Sequence, residues 1–288
     1  FEKAFLLSAG TEATEAALKL MRLNAIKNKK ERGGIICFEG NWHGRTMGAQ
    51  MMSSNKAQRA WIGYDDPNVY HLPFPYPWCK DAIKDPRNFF RRHMNDLMRR
   101  HNINPDKDLC GVMLETFQGW GAVFYPKEFV QEVCDFAKEH NMLVAFDEMQ
   151  SGFGRTGELF GYMHYGVEPD LLCCGKGASS SLPLSFVIGS SAVMDIAGVG
   201  DMSSTHSANP LACVAGHTNL QVLLEDGLIE NSKKLGRIFH DELLRIQRNH
   251  SDVLKFIQGE GLLAACIFYD NNNQPMSQLC TKICYEAL

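Results

Sequence analysis

Two short apolar runs, each ending near a charged residue, constrain this chain more than any other feature. Leu143 to Phe146 precedes Asp147, and Leu171 to Cys174 precedes Gly175-Lys176-Gly177. Runs of that length are too short for helices, and between polar flanks they read as strands buried on both faces, as in a parallel sheet. In an open α/β sheet, ligands sit beyond the carboxyl ends of the strands, so an acid and an amine at two such ends face one site. Taken singly, neither residue is unusual. An Asp at a strand end commonly caps a helix or turn, and a Lys between glycines is commonly a solvated loop residue.

Together the two suit one chemistry. Pyridoxal phosphate needs a lysine to hold its aldehyde as an imine and a carboxylate to keep its ring nitrogen protonated. The wider context is Phe146-Asp147-Glu-Met-Gln150-Ser-Gly-Phe-Gly-Arg-Thr-Gly157, followed by Gly175-Lys176-Gly177. It resembles the class III aminotransferases, pyridoxal-phosphate enzymes of fold type I that act mostly on amines and ω-amino acids. The resemblance runs from Ser8-Ala-Gly-Thr-Glu-Ala13 to at least Ser204-Thr-His-Ser-Ala-Asn-Pro210. It implies an α/β fold with a mostly parallel, seven-stranded sheet and helices on both faces. It further implies a cofactor-binding large domain over residues 1–225 and the beginning of a small α+β C-terminal domain over 226–288.

The remaining site residues follow from motif and resemblance together. A glycine turn opening a helix, as at Ser8-Ala9-Gly10-Thr11, offers free N–H groups to an anion or simply caps the helix; the resemblance gives Gly10 and Thr11 the cofactor phosphate. Trp42 lies in the polar, glycine-bounded loop Gly40-Asn-Trp-His-Gly44, and the resemblance stacks it on the pyridine ring. His43 is expected to position that loop. Glu115 ends another strand and borders the cofactor. Gln150 is implied as the partner of the phenolic oxygen, and Arg155 belongs to the glycine-rich turn. Thr116 stands where the family commonly has Pro. Trp120 stands where ornithine- and γ-aminobutyrate-type enzymes carry Glu, and is expected to line the substrate pocket and to favour an apolar or compact group. Thr205 is expected to reach the cofactor phosphate of a neighbouring subunit, which makes the active species a homodimer or dimer of dimers.

Along the chain, strands are expected at Phe5–Leu7, Gly34–Phe38, Gly111–Glu115, Phe186–Gly189 and Leu262–Tyr269. Amphipathic spacing predicts helices from Thr11, over Pro126–His140 with Phe129, Val130, Val133, Phe136 and Ala137 inward, and over Pro210–Glu225, Leu228–Asn249 and Ser277–Leu288. Phe89–His101 reads as a basic helix with a solvated face. The proline-rich stretch from Asp65 to Pro86 reads as a surface excursion.

Composition narrows the rest. A formal net charge of −4 gives no basic footprint for nucleic acid, and 45% hydrophobic content suffices for a packed core. No apolar run is long enough to span a membrane. The ten cysteines are scattered without a Cys-x-x-Cys pair and read as buried thiols, and no His spacing suggests a metal. The expected location is cytoplasmic, with the mitochondrial matrix left open because residue 1 is Phe. Against the family pattern the chain resembles an internal piece lacking both ends.

The expected reaction moves an amino group from an amine or ω-amino acid to a keto acid through Lys176, with pyridoxal 5'-phosphate as cofactor. Two alternatives stand beside it. One is a decarboxylating transaminase or phospholyase of the same family; the other is a catalytically incompetent fragment that binds cofactor only.

Overall fold

Seven strands form one mixed sheet, and their sequence explains which face each residue takes. The structure is a computed structural model that describes residues 1–272 and 274–287. Strands of four or more residues are numbered β1 (Lys3–Leu7), β2 (Gly34–Phe38), β3 (Val69–Leu72), β4 (Leu109–Glu115), β5 (Leu143–Asp147), β6 (Leu171–Cys174), β7 (Ser185–Gly189), β8 (Leu254–Gln258) and β9 (Ala265–Phe268). The main sheet runs β1-β7-β6-β5-β4-β2-β3. β3, β2, β4, β5 and β6 are mutually parallel, whereas β7 is antiparallel to both β6 and β1.

Every residue of β2, β4, β5 and β6 is buried, as two covered faces require. Val144, Phe146, Leu172 and Cys174 enter one apolar cluster. Leu143, Ala145, Leu171 and Cys173 enter the other. Helices of ten or more residues are α1 (Gly10–Lys27), α2 (Pro86–His101), α3 (Lys127–Glu139), α4 (Pro210–Glu225), α5 (Leu228–Asn249) and α6 (Ser277–Glu286). On one face α1 buries Ala13, Ala16, Ala17 and Leu20. On the other, α3 buries the five expected apolar residues, with the Phe129 ring edge-on to Phe38 and Phe90, each at 5.6 Å. Each such ring contributes about 1.5–3 kcal/mol by leaving water.

Two expectations change. The Asp65–Pro86 stretch is no plain excursion: it contains β3, which adds to the sheet edge with Tyr70 and Leu72 inward. An edge strand needs only alternate apolar residues, which the surrounding prolines obscured. The strand expected at Leu262–Tyr269 is the shorter β9, and it pairs antiparallel with β8. The basic helix α2 keeps its solvated face, with Arg92, Arg99 and Arg100 exposed, while Arg87 bonds Glu132 of α3 at 2.6 Å and Arg91 grips Glu139 through two N–H groups at 2.9 and 3.0 Å. Leu288, the expected end of α6, lies outside the described residues.

The C-terminal elements meet the glycine-rich turn after β5 through three layers of backbone. Gly261 has φ of +59°, and a Cβ there would lie 2.4 Å from the Thr156 carbonyl carbon. Gly236 of α5 packs on the other side of Gly261, where a Cβ would lie 2.6 Å from its Cα. The Arg155 carbonyl accepts the Leu262 N–H at 3.0 Å and the Ser232 hydroxyl at 3.3 Å.

Candidate active site

The parallel register brings two acids side by side. Glu115 and Asp147 end β4 and β5 as direct partners, and Asp147 is in turn level with Cys173 of β6, two residues before the turn that carries Lys176. Both carboxyl groups are buried. The Glu115 carboxyl is held well above its ordinary range, first by burial and second by the Asp147 charge. Its Oε2 accepts the Trp42 N–H at 2.9 Å. Asp147 Oδ1 accepts the Met149 N–H at 3.1 Å, and Oδ2 lies 3.0 Å from Nδ1 of the buried His43. His43 Nε2 is buried with no partner among the described residues. Thus the loop after β2 is pinned to the ends of β4 and β5, one bond to each acid.

Around these acids lies a cavity of about 210 Å³. Gly10, Thr11, Trp42 and His43 line one part of it, and Glu115, Asp147, Gln150 and Lys176 another. Eight expected residues therefore converge. Trp120 and Thr205 do not. The Trp120 ring is 59% exposed, its N–H donating to Gln118 Oε1 at 2.8 Å. Thr205 is exposed in the loop before α4, outside the cavity of its own chain.

The head of α1 has a particular set of free donors. Glu12 takes up the Ser8 and Ala9 amides at 2.8 Å each, and the Ala9 carbonyl takes those of Glu12 and Ala13. The Gly10 and Thr11 amides have no partner among the described residues, at the positive end of an 18-residue helix. Lys176 opens a second, 550 Å³ cleft that shares Met149 and Gln150 with the first cavity. Its backbone is left-handed, φ +43°, a conformation that costs a non-glycine residue about 1–3 kcal/mol.

Two residues that the motif reading passed over belong to the site. Met149 lies against both turns: a Cβ on Gly10 would be 2.8 Å from its sulphur, and one on Gly175 2.6 Å. Its position one residue before Gln150, past a strand end, was the available signal. Arg45 stacks its guanidinium 4.7 Å over the Trp42 ring and is exposed.

A buried acid and an amine converging beyond parallel strands, beside free helix N-terminal amides, define the architecture of fold type I pyridoxal-phosphate transferases. The comparisons specify the family. The aminotransferase class-III model matches residues 1–288, and the chain belongs to that family. It is 36% identical over 246 residues to a probable 4-aminobutyrate aminotransferase of Bacillus subtilis, covering 84% of this chain and 55% of that protein. Among solved structures, an S-selective transaminase from Arthrobacter sp. with alanine bound superposes with a TM-score of 0.83 at 29% identity, over 96% of this chain and 62% of that one. The ornithine aminotransferase from Toxoplasma gondii, solved with partial occupancy of pyridoxal phosphate at its active site, gives 0.79 at 28% identity, over 93% and 60%. The chain thus spans about three fifths of the proteins it matches. No helix among its described residues is long and apolar enough to cross a membrane.

The residues present fit pyridoxal phosphate. The unpartnered Gly10 and Thr11 amides suit a phosphate, the anchored Asp147 carboxylate suits a pyridinium nitrogen, and Lys176 supplies an amine with no hydrogen-bond partner among the described residues.

Proposed function

We propose that this chain carries the cofactor site of a pyridoxal-phosphate-dependent aminotransferase that moves an amino group from an amine or ω-amino acid to a keto acid. The observation that carries the reading is the convergence of Asp147, Lys176 and the free Gly10 and Thr11 amides on one cavity. When bound, the cofactor supplies an aldehyde that takes up amines and a ring that withdraws electrons from the substrate carbon. Asp147, fixed by His43 and the Met149 amide, keeps a proton on the ring nitrogen. Trp42 and Met149, which line the cavity, would bound a flat ring, and Gln150 would offer its side chain to the phenolic oxygen. Lys176, whose amine has no hydrogen-bond partner among the described residues, would hold the cofactor through Nζ and would move the proton at the substrate carbon. Arg45 offers the exposed positive charge beside Trp42 to an acidic substrate.

In this reading residues 1–225 form the cofactor-binding large domain and 226–288 begin a smaller one. The exposed position of Thr205 is consistent with a homodimer in which its hydroxyl serves the neighbouring site. The composition and the absence of an apolar spanning helix among the described residues favour a cytoplasmic enzyme.

The test is a visible absorption spectrum of the purified chain with pyridoxal phosphate, beside Lys176→Ala. A lysine-dependent band that bleaches on adding an amine supports the reading. The same spectrum from parent and variant would overturn it.

A further inference from the structure

The acid that follows Asp147 lies wholly outside the cavity, yet it has more hydrogen-bond donors than any residue lining it. Glu148 is 0% exposed. Its Oε1 accepts the Thr116 hydroxyl and the Tyr162 N–H, each at 2.7 Å. Its Oε2 accepts the Ser151 hydroxyl at 2.6 Å and the Gly161 N–H at 2.9 Å. Its backbone is held too, the N–H donating to Cys173 O at 2.9 Å and the carbonyl accepting Gly152 N–H at 3.0 Å. A buried carboxylate endures only where its lone pairs are so satisfied.

We propose that Glu148 is a positioning residue of the cofactor site, its carboxylate fixing from below the two stretches of chain that present Glu115, Asp147 and Gln150. The geometry follows from strand alternation: Asp147 turns toward the cavity, so the next residue turns away from it. Thr116 immediately follows Glu115, so the Thr116 bond joins the end of β4 to the end of β5 just beneath the paired acids. Ser151 immediately follows Gln150, so the Ser151 bond fixes the other side of the turn. The segment at Gly161–Tyr162 forms the base, and it is crowded: a Cβ on Gly161 would lie 2.7 Å from both Ser151 Cβ and Thr116 Cγ2. None of these four donors lines the cavity. Burial holds the Glu148 carboxyl above its ordinary range, and the four donors offset part of that rise. Thr116 carries particular weight because, of the four donors, its hydroxyl alone comes from the residue that follows β4.

This inference rests on the cofactor reading above. Its test compares the full chain with Thr116→Val, Thr116→Ser and Glu148→Gln, measuring thermal unfolding without cofactor, the pyridoxal phosphate dissociation constant by fluorescence quenching, and the visible circular dichroism of the bound cofactor. Thr116→Val should raise the dissociation constant about tenfold, as the loss of one charge-assisted bond implies, and weaken the visible dichroism, while Thr116→Ser restores both. Glu148→Gln should do at least as much. A parent that does not bind the cofactor would sink the cofactor reading itself. A parent that binds, with Thr116→Val melting lower but binding with unchanged affinity and dichroism, would make the cluster merely structural and overturn this proposal. Should Glu148→Gln fail to fold, the Val and Ser pair at Thr116 decides alone.

Discussion

Replacing Gly261 by Ala tests whether the approach of three backbone layers holds the C-terminal elements in place. The added methyl meets the Thr156 carbonyl carbon at 2.4 Å, the Gly157 nitrogen at 2.7 Å and the Arg155 oxygen at 2.8 Å, all backbone. Ordinary contact requires about 1 Å more, and no side chain can swing aside to provide it. Moving the layers apart by that much breaks the Leu262 bond to Arg155, now 3.0 Å. Three costs add: about 1 kcal/mol for a left-handed Ala, about 1–3 for overpacking and about 1 for the lost bond. The expected loss is thus about 3–5 kcal/mol. Gly227→Ala is the control, because Gly227 shares the left-handed backbone at φ +67° but has nothing within 4 Å of its added methyl; about 1 kcal/mol is expected there. Urea unfolding followed by far-ultraviolet circular dichroism reads both. Equal losses at the two positions would refute the claim that the close approach sets the cost.

Further outcomes follow from the same structure. His71 is held down to about 4 from 6.5, chiefly by burial; its folded form resists protonation, so it contributes stability above 6.5 that is lost as pH falls toward 4. That amounts to at most about 3 kcal/mol, and comparing parent with His71→Gln by urea unfolding across this window should show the difference shrinking toward acid. If Thr205 serves the neighbouring subunit, mixing Lys176→Ala chains with Thr205→Ala chains should generate hybrid dimers with one intact site, and turnover above that of either variant alone. Absence of that recovery would place Thr205 outside the neighbour's site.

How far the sequence was legible depended on how strongly burial shapes it. β5 and β6 were readable because a strand covered on both faces must be continuously apolar, which makes the polar residue at its end conspicuous. β3 escaped because an edge strand with Tyr70 and Leu72 inward and Val69 and His71 less so differs little from a loop among prolines. β8 escaped for a related reason: only Leu254 of its five residues is buried. In the site, most residues that a motif names converge, but Trp120 does not, because Gln118 and Val123 pair as a small hairpin at whose tip Trp120 is left exposed while Ala122 is buried. Glu148 was unreadable as a buried hub, since its donors come from segments up to 32 residues away and an Asp-Glu pair looks equally well like a solvated turn.

The left-handed backbone at Lys176 has a consequence for how this protein tolerates drift. Glycine is the residue that such a φ favours, so a change of Lys176 to Gly relaxes the main chain by about 1–2 kcal/mol even as it removes the reactive amine. Selection for a sturdier fold and selection for chemistry therefore pull in opposite directions at this codon. A lineage released from the chemical demand has a downhill route to a more robust, inert descendant, and for the same reason a laboratory seeking an inert binder from this scaffold should begin its substitutions there.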